Sequence, residues 1–593
     1  MNEPRSEYAH RLEVAESAAR RWGVRERWIS HARLAVFVAG AGVAWLAFGS
    51  RVLAAGWLAP IVVLFLALVI VHDRLIRRHR EAQRRADFYE RGIARIEDRW
   101  SGTGERGEDF CDPAHPYAAD LDLFGEGSLF ELLCTARTPV GQRTLADWLR
   151  TPAAADVVRA RQAAVDELRG RLDLREDLWL LGEDVRSRLN PVAMLRWGAE
   201  PAAPSPRLRA VAALLVSVSL GALALWIFTD AGLLPALVAI GAQSGFALRL
   251  RRRIAPVIRG VEGPTRDLAI LADLLERLER EPVSAPLLVR LRTELETDHV
   301  SPSRRIAQLR RLVDLLDARR NQFFAPIGAL LLWGTQLALA VEAWRAECGP
   351  HLERWLTAAG EIEALCALSA YAYEHPDDPF PEIAEGEPVF EGGDLGHPLI
   401  PAERCVRNDL VLGGDRRGLV VSGSNMSGKS TLLRTVGVNA LLALAGAPVR
   451  ARRLRLSPFT VAASIQVNDS LQEGISRFYA EIKRLHQVVE LTGGSLPVLF
   501  LLDEILHGTN SHDRRIGAEA VVRGLVDRGA LGLVTTHDLA LAKIADELAP
   551  RLENVHFEDQ LEDGEITFDF HLRSGVVRKS NALELMRSVG LEV

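Results

Sequence analysis

The sequence predicts an α/β domain in its last third, an all-α domain before it, and apolar helical hairpins set into the helical part. Three observations carry this reading. A short apolar strand at 418–422 runs into a glycine-rich loop and then a helix. Leucine, alanine, arginine and glutamate recur at helical spacing between Phe124 and Glu385. Two pairs of uncharged runs are each flanked by arginines.

At 593 residues the chain has room for three or four structural units. A mean hydropathy of +0.05 beside 25% charged residues means that the apolar residues are gathered in blocks. The net charge of −6 gives no whole-chain case for nucleic-acid binding, which needs local basic surface. Cys111, Cys134, Cys348, Cys366 and Cys405 are scattered without a CxxC pair. His115 and His351 each lie near one cysteine, with no second couple to complete a metal site. Neither structural zinc nor a disulfide framework is expected.

Residues 1–33 form an N-terminal segment on the cytosolic side. About 30 mostly polar residues before the first apolar run argue against a cleaved signal peptide. The first transmembrane hairpin occupies 34–72. Leu34–Ser50 is uncharged over 17 residues and Val52–Val71 over 20, with Arg51 between them. A crossing takes about 20 apolar residues, so the second run fits and the first just reaches. Arg20, Arg21, Arg25, Arg27 and Arg33 precede the pair, and Arg74, Arg77, Arg78 and Arg80 follow it. The turn between carries almost no positive charge, so both ends belong in the cytoplasm.

Residues 73–124 read as a cytosolic linker helix. Its basic run from Arg77 to Arg85 is accounted for by topology and by attraction to anionic lipid, without DNA. The helical core follows in two parts, 125–209 and 249–385, around a second hairpin at 210–248. That hairpin pairs Ala210–Thr229 with Ala231–Leu248, split by Asp230, and is again flanked by arginines (Arg207 and Arg209, then Arg249, Arg251, Arg252 and Arg253). Phe323–Val341 is uncharged over 19 residues. A fifth crossing there would place everything downstream outside the cell, so it is expected to be a buried or interfacial helix. The proline-rich stretch His375–Pro381 reads as a linker, and 386–593 as the α/β domain.

Chemistry concentrates in that last domain. Gly423, Ser424, Asn425, Met426, Ser427, Gly428, Lys429, Ser430 and Thr431 spell G-x-x-x-x-G-K-S between a strand and a helix. Such a loop turns backbone N–H groups inward to hold phosphates, with the helix N-terminus adding positive potential. Lys429 is expected to reach the β and γ phosphates of ATP, and the Ser430 hydroxyl to ligate Mg²⁺. Val498–Leu502 is a core strand ending in Asp503 and Glu504. Asp503 is placed to hold the Mg²⁺ shell and Glu504 to orient or deprotonate water. A third strand, Leu531–Thr536, ends at His537, placed to sense the γ-phosphate.

These residues resemble the MutS family. Asn425–Met426 matches its loop, Asp503–Thr509 its acidic strand end, and Gly474–Phe478 with Glu481 its signature segment. His397-Pro398, Asn408 and the closing stretch Gly575–Leu583 are also similar, as are Leu132–Thr135, Thr138–Gly141 and Trp148–Pro152 at the start of the helical core. The likeness covers roughly Gly125–Val593. Ser424 stands where the family has proline, and Ile475 and Arg477 alter the signature; neither change removes a phosphate contact. The resemblance implies an ABC-type P-loop ATPase domain in which Ser476 contacts a γ-phosphate across a homodimer. It also implies binding of DNA, mismatched or branched. No mismatch-reading domain or C-terminal nuclease-like extension is expected; Phe88-Tyr89-Glu90 imitates the family's reader in a charged helical stretch without a β-rich domain around it.

The reading that follows is a multi-pass protein of the inner membrane, in contact with lipid, whose cytoplasmic ATPase domains dimerise. An ATP-driven membrane machine or a nucleotide-switched scaffold without DNA is the alternative. Keeping both Lys429 and Glu504 speaks against a scaffold with little turnover.

Overall fold

The apolar runs near the N-terminus lie in helices far longer than themselves. In the computed structural model, which describes residues 3–186, 190–201, 206–230, 232–296, 300–317, 324–465, 477–506, 509–537, 539–562 and 565–577, one helix runs Pro4–Ala44 and a second Leu58–Ile96. A π turn at Trp45–Gly49 and a short 3₁₀ turn at Ala55–Trp57 join them. At 1.5 Å per residue each helix is about 60 Å long. Pro4 sits in the first turn, where its missing N–H costs nothing, and the alanine-, arginine- and glutamate-rich stretch after it favours helix. The boundaries expected at 33 and 72 are therefore changes of polarity along one continuous antiparallel rod. Its outer half exposes Phe37, Phe48, Val63 and Ile70.

Among the described residues three helical stretches are long and apolar enough to cross a membrane: Pro4–Gly49, Ala55–Ile96 and Arg207–Phe228. The partner of the third, Leu234–Gly260, differs. Its uncharged part ends at Leu248, so about 22 Å of apolar helix precedes the arginines, against a hydrocarbon core of about 30 Å. The uncharged run at 323–341 is not one helix. Ala325–Leu330 stops, Leu332 takes a left-handed φ of 49°, and Trp333–Cys348 begins. Residue 323 lies outside the described residues. The break nests against the second hairpin, where Leu331 and Leu332 meet Ala212, Val216 and Phe246. Gln243 Nε2 there donates to the carbonyls of Ala329 (3.2 Å) and Leu330 (2.7 Å).

The helical part surrounds Leu352–Glu374, which is buried on nearly every side. Gly360 allows Pro139–Arg150 to close on it, since a Cβ there would lie 2.8 Å from Val140 Cγ1. Glu363 caps that neighbour, accepting from the backbone N–H groups of Arg137 (3.1 Å) and Thr138 (3.2 Å). At its C-terminal end Glu374 receives Arg95 (2.7 and 2.5 Å) and Tyr8 Oη (3.2 Å), fastening both helices of the long rod to the last residue before the linker. Phe88 and Tyr89 are buried at that base with Leu172 and Trp179, which gives them a packing role.

The α/β domain holds two sheets. The strands are β1 Glu382–Ile383, β2 Val389–Leu395, β3 Asn408–Gly413, β4 Gly418–Ser422, β5 Arg453–Leu456, β6 Thr460–Ser464, β7 Val498–Leu502, β8 Leu531–Thr536, β9 Leu552–Glu562 and β10 Glu565–Ser574. The smaller sheet is ordered β1-β5-β2-β3 and the larger β10-β9-β4-β8-β7-β6. In the larger, β9, β4, β8, β7 and β6 are parallel and β10 pairs antiparallel to β9. β4, β7 and β8 are buried throughout, as strands covered on both faces must be.

The stretch expected to be a linker helix behaves differently after Ile96. The helix stops where Asp98 takes a left-handed φ of 54°, and the glycine- and proline-bearing chain after it docks on the edge strand β6. Ala463 N–H donates to Pro116 O (2.9 Å) and Ile465 N–H to Asp120 Oδ1 (2.7 Å). Tyr117, Leu121 and Leu123 are buried in a core continuous from the helical part into the sheet domain, and the exposed sheet edge is covered.

Candidate functional site

β4 delivers the chain to a tight loop at the carboxyl end of the larger sheet, where ligands bind in open α/β folds. The glycine spacing has local causes. A Cβ on Gly423 would lie 2.7 Å from Ser427 Oγ, while Gly428 has φ 101° and its Cβ would lie 3.1 Å from the Phe570 ring. Asn425 and Met426 form the exposed tip, Met426 with φ 69°. The helix Lys429–Ala445 starts directly after Gly428, so its first-turn N–H groups and dipole face the loop. Lys429, 5% exposed, folds back and donates to the carbonyls of Gly423 (3.0 Å) and Ser424 (2.8 Å). Ser424 Oγ and Ser427 Oγ are buried in the same loop without a hydrogen-bond partner among the described residues. Thr431 is exposed in the first helical turn.

The acidic pair arrives from two strands away. Asp503 follows β7, its N–H donating to Ser464 O (2.9 Å), and its Oδ2 accepts from Ser430 Oγ (2.5 Å). Its Oδ1 accepts from Thr535 Oγ1, and Thr535 Oγ1 accepts from the Glu504 N–H (3.0 Å). Thr535 belongs to β8, which lies between β4 and β7, and its hydroxyl holds both acids that follow β7. Glu504 adopts a left-handed φ of 45°. That turn brings its Oε1 to 3.4 Å from Lys429 Nζ and 3.2 Å from His537 Nδ1. Lys429, Ser430, Asp503, Glu504 and His537 therefore converge. Ser476 lies outside the described residues. Glu481, on the helix Arg477–Leu491, is buried and accepts the Leu506 N–H just past the acidic pair.

Beside the loop is a cavity of about 290 Å³ lined by His397, Val406, Asn408, Gly428, Thr431 and Phe570. Asn408 ties β3 to β10, donating to Phe570 O (3.0 Å) and accepting from Leu572 N–H (2.7 Å). Burial, with the Arg434 charge adding to it, pushes the His397 imidazole down to about 4, so it is neutral at ordinary pH and accepts the Leu399 N–H (3.2 Å).

This arrangement suits a phosphate ester held by the loop and Lys429, with the cavity beside it for the rest of the molecule. Among the described residues no group of three or more His, Cys, Asp or Glu side chains is placed to hold a metal. Ser430 and Asp503 nevertheless present converging hard oxygens, the donor set by which Mg²⁺ is shared between a protein and phosphates. Sequence reading missed Thr535. Its one local signal is a polar pair, Thr535-Thr536, closing an otherwise apolar strand before His537.

Residues 419–592, which contain the loop, the acidic pair and His537, match the family model of MutS domain V. Over this domain the chain is similar to the MutS family. Curated relatives agree. The chain is 32% identical over 262 residues to the "DNA mismatch repair protein MutS 2" of Halobacterium salinarum, covering 43% of this chain and 29% of that one. It is 36% identical over 197 residues to the "Endonuclease MutS2" of Thermus thermophilus, covering 33% and 25%. It is 30% identical over 267 residues to the "DNA mismatch repair protein MutS" of Geobacillus kaustophilus, covering 43% and 29%. The chain thus spans less than a third of these relatives' length, and these alignments fall well short of the whole Gly125–Val593 stretch. MutS domain V is an ATPase domain, and it is here that the five converging side chains sit.

Proposed function

We propose that this protein is a membrane-anchored P-loop ATPase of the MutS type, binding and hydrolysing ATP in sites completed across a homodimer. The observation that carries the proposal is the meeting of Lys429, Ser430, Asp503, Glu504 and His537 at the carboxyl ends of β4, β7 and β8. The loop N–H groups, the helix start and Lys429 bind the β and γ phosphates, and the adjoining cavity takes the nucleoside. Mg²⁺ held through Ser430 and Asp503 would neutralise charge on the phosphates being separated. Glu504, turned by its left-handed backbone and steadied by Thr535, accepts a proton from water or orients it towards the γ-phosphorus. His537 beside it senses the same phosphate. Glu504 contacts Lys429 at 3.4 Å, so a γ-phosphate that draws the ammonium away releases the carboxylate for water.

The resemblance of its segment assigns Ser476 to the partner's γ-phosphate, so that ATP would clamp two domains and hydrolysis part them. The arginine flanks of both hairpins keep this domain on the cytoplasmic side of the inner membrane. Coupling to mismatched or branched DNA is supported by the relatives named for mismatch repair. A second reading, an ATP-driven machine that acts at the membrane without DNA, is favoured by the Tyr8–Arg95–Glu374 clamp between the long rod and the domain linker. ATPase turnover of the detergent-solubilised protein, with and without duplex, mismatched and branched DNA at low salt, separates the two. Glu504→Gln is expected to trap an ATP-bound dimer; turnover equal to the unsubstituted protein would refute the role given to Glu504.

A further inference from the structure

At the foot of the second hairpin lies a cavity of about 710 Å³, remote from the nucleotide site. Its walls come from Pro191–Ala199, the start of Pro206–Phe228, the end of Leu234–Gly260, and Trp333–Cys348. Leu208 and Leu250 line it where the uncharged runs begin and end, which is the level of the cytosolic membrane surface if the hairpin spans. Arg196, Arg252, Arg253 and Arg345 also line it.

The charge is unbalanced. The cavity's two acids, Glu200 and Glu342, both engage Arg345, at 2.8 and 2.9 Å. Arg196, Arg252 and Arg253 are exposed and have no ion pair among the described residues. Four guanidinium groups against two carboxylates leave two positive charges facing the space. Arg345 is itself buried, and its Nε is enclosed without a hydrogen-bond acceptor among the described residues. A buried donor left unmatched is costly and marks a place where an acceptor belongs. Trp197 lines the same cavity and stacks on Trp344, with ring centroids 6.0 Å apart, giving the cavity one aromatic wall.

We propose that this cavity binds the phosphate head group of an anionic phospholipid of the cytoplasmic leaflet, its acyl chains leaving past Leu208 and Leu250 into the bilayer. Arginine suits the task because its planar fork matches phosphate oxygens two at a time. Free phosphate shares the charge but not the apolar mouth. The proposal rests on the membrane-anchored reading above, and the test separates the two.

The full chain is expressed, cells are fractionated, and the detergent-purified protein is examined by native mass spectrometry with phosphatidylglycerol, phosphatidylcholine of the same chains, or inorganic phosphate. Recovery in the soluble fraction would remove the membrane reading and this site with it. With the chain in the membrane fraction, one phosphatidylglycerol retained at least tenfold better than phosphatidylcholine is expected. Arg252→Ala with Arg253→Ala, at exposed positions, should abolish that preference, while Arg77→Ala with Arg78→Ala at the other hairpin should leave it. Equal retention of the two lipids, the same loss in both double variants, or displacement by equimolar inorganic phosphate would each overturn the site and leave the membrane reading standing.

Discussion

Severing Glu374 from Arg95 is expected to release the long rod from the rest of the molecule. The two carboxylate oxygens take Arg95 Nε at 2.7 Å and Nη2 at 2.5 Å, and Oε1 also accepts from Tyr8 Oη at 3.2 Å. Side-chain exposures are 11% for Arg95 and 1% for Glu374, so little water screens the pair. Burial, reinforced by the Glu374 charge, pushes the Tyr8 phenol up, which keeps it a neutral donor. Glu374→Gln preserves shape and leaves Arg95 a buried cation without its counter-charge, a loss of about 3–5 kcal/mol when a buried pair is broken from one side. Arg95→Met with Glu374→Met removes both charges and should recover most of that, since apolar replacement of a buried pair is often neutral or better. The assay is a double-mutant cycle by thermal unfolding in detergent, with trypsin cleavage at Arg99 reporting undocking of the base. A change below about 1 kcal/mol in Glu374→Gln, or a double variant as unstable as the two singles summed, would refute the reasoning.

Two further outcomes follow from the nucleotide domain. Thr535→Val removes a hydroxyl bonded to Asp503 and to the Glu504 N–H; a hydrogen bond to a charged group is worth about 1.5–3 kcal/mol, so turnover should fall about ten- to a hundredfold, measured by phosphate release with the fold checked by circular dichroism. His397 is held neutral with its imidazole depressed to about 4 from 6.5, so the unfolded chain takes up a proton that the folded one refuses. Stability should fall as pH drops from about 6.5 towards about 4, by on the order of 3 kcal/mol at the low end, and His397→Asn should flatten that part of the pH profile in denaturant melts.

The glycine-lysine loop was legible because its chemistry is local. Gly423 has no room for a Cβ beside Ser427 Oγ, Gly428 takes a left-handed backbone, and Lys429 reaches back only six residues to Gly423. Asp503 and Glu504 could be placed too, because an acid that ends an apolar parallel strand must emerge at the same sheet edge. Thr535 could not. Its importance comes from β8 lying between β4 and β7, an order that is fixed by three-dimensional packing and left open by spacing. Hydropathy located the polarity changes at 33 and 72 but is blind to backbone continuity, so one rod looked like three segments. The glycines and prolines between 102 and 116 speak against a helix there, but the stop at Ile96 turns on Asp98, whose left-handed φ of 54° spacing does not reveal. The break at Leu332 had no visible cause at that residue. It depends on Gln243 satisfying the carbonyls of Ala329 and Leu330 from another helix.

Equilibrium binding of a fluorescent ATP analogue to the full chain and to Lys429→Ala most directly tests whether the loop after β4 grips a triphosphate. The geometry predicts saturable, Mg²⁺-dependent binding that the substitution weakens at least a hundredfold, about 2.7 kcal/mol, while the circular dichroism spectrum stays unchanged. Equal affinity in the two proteins would contradict the account.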